Sequence, residues 1–150
     1  MARGRPGMAL PNPAEAGFVM AARTTPCDPR IADGRRLKAS QFAEAFDTIY
    51  EFADEPGDVA DACVTLAVHS GIASADVITC TRLQQHAQGD DHAQAVALLQ
   101  KAAGTSISRH LDTLLGMKSR AGYSHDPATA AQLKKAKRAM DALLDTVRGL

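Results

Sequence analysis

From about residue 40 onward, apolar residues recur at steps of three and four and almost nowhere at steps of two, so the pattern predicts helices without a sheet. A first helix from about Ser40 to Asp54 places Phe42, Phe46, Ile49, Tyr50 and Ala53 on one stripe, with Ser40 as N-cap and Glu55-Pro56-Gly57 as the stop. Asp58 caps a second helix, about 58 to 87, with Val59, Cys63, Leu66, Ala73, Val77 and Cys80 on one face and Val68, Ile72 and Ile78 elsewhere. A helix that is apolar on more than one side belongs at the centre of a bundle. Its Ala67, Ser70, Gly71, Ala73, Ser74 and Ala75 leave room for a neighbouring backbone to approach. Gly89-Asp90-Asp91 turns into a short third helix with His92, Ala95, Val96, Leu99 and Ala103 inward. After Gly104-Thr105-Ser106, a fourth helix, about 106 to 121, carries Ile107, Leu111, Leu114, Leu115 and Lys118. A fifth runs from Pro127, capped by Asp126, almost to the end, and sets Leu133, Ala136, Met140, Leu143, Val147 and Leu150 in a 3-4-3-4-3 rhythm suited to a near-antiparallel seam.

Before these helices, Pro6, Pro11, Pro13, Pro26 and Pro29 oppose regular structure, apart from one short helix opened by Asn12, Pro13 and Glu15. The expected organisation is a proline-rich extension over residues 1–37 and an all-α, up-and-down bundle of four to five helices over 38–150. Abundant alanine and the absence of tryptophan fit packing through small and aliphatic side chains. Basic and acidic residues balance at 17 each, so no global field draws the chain to nucleic acid or to a membrane surface. The strongest local positive patch is Lys134, Lys135, Lys137 and Arg138. Cys27, Cys63 and Cys80 show no paired or metal-ligand spacing, which favours a reducing cytoplasm and makes Cys63 and Cys80 small buried apolar residues. No signal-peptide core and no membrane-spanning run is expected, nor a metal or cofactor: His69, His86 and His110 lie on patterned helices without ligand spacing, and His92 reads as a cap or core residue.

The chemistry gathers in Met117 to Pro127, where Arg120, Tyr123 and His125 fall in the short connection between two helices. With Asp126-Pro127 starting the last helix, its free N–H groups favour an anion, to which Arg120 adds a guanidinium fork and His125 a proton donor or acceptor. Taken alone, Arg120 also serves as a helix C-terminal cation, His125 as a loop histidine, and Lys118 as a snorkelling helix residue.

The helix order, the segment Asp91-His92-Ala93-Gln94-Ala95-Val96-Ala97-Leu98-Leu99 and the stretch Leu111 to Tyr123 resemble the HEPN domain superfamily over roughly residues 38 to 150. Ribonuclease members carry an arginine and a histidine four to six residues apart near the last helix, which Arg120 and His125 match. A polar residue often follows that arginine, and here Ala121 does. The resemblance implies a metal-independent endoribonuclease of toxin or defence type, acting as a homodimer whose two motifs face one shared cleft. His125 is then the general acid or base and Arg120 stabilises charge on phosphorus. Tyr123, Lys118, Lys134 and Lys135 are the implied substrate-binding residues, RNA the substrate, and a cognate antitoxin or nucleotidyltransferase-fold protein the partner. Another branch of similar helical proteins has the lysine and tyrosine without the histidine, which Lys118 and Tyr123 match equally, and implies a non-catalytic binding module for a nucleotide, an RNA or a partner protein.

Overall fold

A computed structural model describes residues 23–150. The element order is β1 (Thr24–Pro26), α1 (Pro29–Phe52), a 3-10 turn (Pro56–Val59), α2 (Ala60–Leu83), β2 (Gln85–Ala87), α3 (His92–Ala103), α4 (Thr105–Tyr123) and α5 (Ala130–Arg148). The architecture is an all-α bundle, with five α-helices among the described residues and a ribbon of two three-residue strands. The short helix expected from Asn12 lies outside the described residues.

The first helix begins at Pro29, not near Ser40. Asp28 caps it, its carboxylate accepting the Ile31 N–H at 3.0 Å, with proline at the first helical position where no donor is needed. Residues 29–37, expected in the extension, are therefore the opening turns of a bundle helix. Ala32, Ala39, Ala43 and Phe46 form its buried stripe. Phe42, placed on that stripe by its spacing, is only half-buried against the His69 ring.

As its all-round apolarity predicts, α2 is the central helix and packs against α1, α3, α4 and α5. Ser70 donates to the Ala39 carbonyl at 2.9 Å across the α1–α2 contact. On another side, a Cβ at Gly71 would meet the Leu114 and Leu143 side chains, which is why the small residue stands there. Asp58 does not cap α2. It lies in the 3-10 turn, and Val59 occupies the N-cap without a side-chain bond. The helix stops at Leu83 because Gln84 turns left-handed, at φ 56°, and residues 85–87 leave as a strand. By length and composition Pro56–Leu83 is long enough to cross a membrane, contrary to the reading that no run is, yet 72% of its apolar window is covered by the rest of the fold.

The two strands pair antiparallel, Thr24 with Ala87, Thr25 with His86 and Pro26 with Gln85. Beside them Cys27 and Cys80 form a disulfide across 53 residues of chain, with Cα atoms 5.3 Å apart. This corrects the expectation of three unpaired cysteines: the chain folds back to bring the two together, and no local spacing signals it. Cys63 stays free and buried, its thiol pushed upward by desolvation.

At the far end, α5 starts at Ala130 rather than at Pro127. Thr129 and Gln132 form a capping box, each side chain bonded to the other's backbone N–H. Asp126 and Pro127 stay in the loop, which Asp61 of α2 anchors by accepting the Ala128 N–H at 2.8 Å. On α5, Lys137 pairs with Asp141 at 2.9 Å and reaches Asp47 of α1 at 3.8 Å, above the Phe46 ring.

Candidate functional site

Arg120, Tyr123 and His125 do not converge on a cavity within one chain. Arg120 is exposed near the end of α4, Tyr123 is 84% exposed, and the His125 side chain is 95% exposed with Asp126 3.6 Å away. The anion seat expected beside His125 is not formed there, because the start of α5 lies five residues further on and its Gln132 N–H is taken by Thr129. Lys134 and Lys135 lie exposed on the outer side of α5. Lys118 differs: it is half-buried and lines two cavities.

The larger of these is a cleft of about 310 Å³ between α1, α2, α3, α4 and the β2 end. Helical register builds it. Ile31 and Arg35 of α1, Ile72 and Asp76 of α2, and Leu111 and Leu115 of α4 are each one turn apart and share a face, while Ala95 of α3 completes the apolar floor. The next turn of α4 adds Lys118, and the α3 entry adds Asp90, Asp91 and His92. Asp91 is already committed, since its carboxylate caps α3 by accepting the Gln94 N–H at 3.0 Å.

Polar groups sit at two ends of that floor. At one, Arg35 donates through Nε at 2.9 Å and lies with Nη2 at 2.8 Å from a single oxygen of Asp76, Oδ2. No side-chain hydrogen bond among the described residues reaches Asp76 Oδ1, which leaves an acceptor for a donor from outside. Burial raises the Asp76 carboxyl above its ordinary range, and the charges of Arg35 and His86 together with the Arg35 hydrogen bond pull it back. His86, on β2, has Nδ1 at 3.0 Å from the Ala87 carbonyl. At the other end Lys118 has no ion-pair partner among the described residues. It also borders a second cavity of about 160 Å³ with Thr65, Val68, His69, Gly122 and Tyr123, which places it toward the opening turns of α2, on the other side of Ile72 from Asp76.

The cleft can therefore hold a molecule with an apolar body, a hydrogen-bond donor at the Asp76 end and an anion at the Lys118 end. Lys118 was visible in the sequence, whereas Arg35, Asp76 and His86 were missed as a group. Asp76 carried a signal, as one of few ionisable residues in the apolar run of α2. Arg35 carried none, because its segment read as extension. In comparisons with known proteins, no protein-family model, no curated protein and no solved structure matches the chain.

Proposed function

We propose that the chain is a helical binding module whose cleft holds a small amphipathic anion of nucleotide type. The observation that carries this reading is the cleft itself: an apolar floor from four helices, bounded by Asp76, which pairs with Arg35 through one oxygen, and by Lys118, which has no ion-pair partner among the described residues. Its size suits a small ligand, since such pockets run from about 300 Å³ upward and combine apolar walls with a few convergent polar groups. The branch of HEPN-like proteins that has the lysine and tyrosine but serves in binding supports the same reading. Isothermal titration of the full chain with mononucleotides and the matching nucleosides tests it. The wild type is expected to bind the phosphorylated forms more tightly, and Lys118→Met to lose that preference by about tenfold, near the 1.4 kcal/mol typical of one charge-assisted contact. Equal binding of both forms by wild type and variant overturns it.

A second reading, the metal-independent endoribonuclease with Arg120 and His125 in a composite homodimer site, is favoured by one observation: Arg120, Tyr123 and His125 all lie exposed at the α4 end, open to a second copy. Its RNA substrate and a cognate antitoxin or nucleotidyltransferase-fold partner belong to that reading. Labelled RNA incubated in EDTA decides it. Cleavage by the wild type to cyclic-phosphate ends, abolished in Arg120→Ala and His125→Ala, supports the enzyme, and its absence removes it. A cytoplasmic location rested partly on unpaired thiols, and with Cys27 joined to Cys80 that support is gone.

A further inference from the structure

We propose that the Cys27–Cys80 disulfide is a thiol-exchange site, opened by a low-molecular-weight thiol seated in the cavity beside it, and that opening it releases the β1–β2 ribbon from the cleft wall. The cavity measures about 300 Å³, and both cysteines line it together with Arg36, Asp33, Thr81 and Gln84. Arg36 gives one guanidinium nitrogen to the Val147 carbonyl at 3.2 Å, and its further donors suit the carboxylate of an incoming thiol.

Access and chemistry together set the course. Cys27 is half-buried whereas Cys80 is 5% exposed, so the incoming thiolate attacks the Cys27 sulfur. A bond forms between the two, the Cys27–Cys80 bond breaks, and Cys80 leaves as a thiolate that takes a proton from water. A second thiol then attacks the mixed disulfide at the sulfur of the first, leaving as the oxidised low-molecular-weight disulfide and freeing Cys27. Two thiols are oxidised and one cystine is reduced.

The consequence for the cleft follows from what else holds β1. Besides the disulfide, its ties include three strand pairs, the Cys27 N–H to the Gln84 carbonyl at 3.0 Å, the Thr24 hydroxyl to the Gln85 side-chain oxygen at 2.5 Å and the Gln94 side chain to the Arg23 carbonyl. A ribbon that short is marginal on its own. His86 and Ala87 on its second strand line the cleft, so loosening the ribbon loosens that wall.

The test needs no cleft ligand and so stands apart from the binding reading. The folded full chain is incubated with millimolar reduced glutathione, trapped with iodoacetamide, and read by intact mass and peptide mapping alongside amide hydrogen exchange. The expected result is a glutathione adduct on Cys27, then alkylation of Cys27 and Cys80, with exchange at residues 85–87 faster by about tenfold while α5 is unchanged. The Cys27→Ser, Cys80→Ser double variant reproduces the faster exchange without thiol, and the wild-type measurement decides the matter if that variant does not fold. Three results overturn the proposal: a disulfide reduced only after denaturation, cysteines 27 and 80 already free in the native protein, or reduction that leaves exchange at 85–87 unaltered.

Discussion

Asp76 answers to two opposing influences at once, desolvation on one side and the Arg35 and His86 charges on the other, and desolvation is the larger. Its carboxyl therefore holds a proton more tightly in the folded chain than at the ordinary 3.8 of the unfolded one. In the window just above 3.8 the native state binds more protons than the unfolded state, so this group's contribution to stability falls as pH rises through the window and is level above it. Urea midpoints of wild type and Asp76→Asn, measured across the acid range, are expected to diverge in that direction: the wild type loses stability relative to the variant as pH rises. A flat difference would show that Arg35 fully offsets burial. The ion pair joins residues 41 positions apart, a partnership that only the folded chain creates, although a carboxylate in the middle of the apolar run of α2 was readable as an anomaly.

Among the elements, α5 shows how two local signals compete. Asp126-Pro127 reads as the helix start, but Thr129 and Gln132 win in the fold because their capping box satisfies two N–H groups reciprocally while Asp61 takes the Ala128 N–H. Thr129→Ala is expected to lower stability by about 1 kcal/mol, read as an earlier urea midpoint with unchanged slope. Asp61→Ala is expected to speed amide exchange at Ala128 while leaving the α5 interior protected, since it removes the anchor and not the cap. At α1 the same logic ran the other way: Asp28-Pro29 was a valid start signal, passed over because prolines and glycines around it suggested extension. The heptad-like rhythm of α5 was read correctly from residue 133 to 147, since long periodic segments carry more information than their ends.

For the whole molecule, the run of small residues on α2 decides how closely three helices approach. Gly71 faces Leu114 of α4 and Leu143 of α5, so Gly71→Val is expected to cost about 1–3 kcal/mol by overpacking, measured by chemical denaturation. Gly71→Ala is expected to cost less, because the Leu114 methyl lies at the end of a rotatable side chain and alanine favours the helix by about 1 kcal/mol. The all-α bundle and its central helix were thus legible in spacing and residue size. The strand ribbon, the disulfide and the cleft were not, because three-residue strands show no alternation and cross-chain pairings leave no periodic trace. Lys118 belongs to both the main cleft and the smaller cavity by Tyr123, and a single ammonium cannot neutralise two anions at full strength. On the binding reading proposed above, the two chambers would be rivals for one counter-ion: an anion held in either would weaken the hold of the other, and by thermodynamic reciprocity the penalty would be the same in both directions.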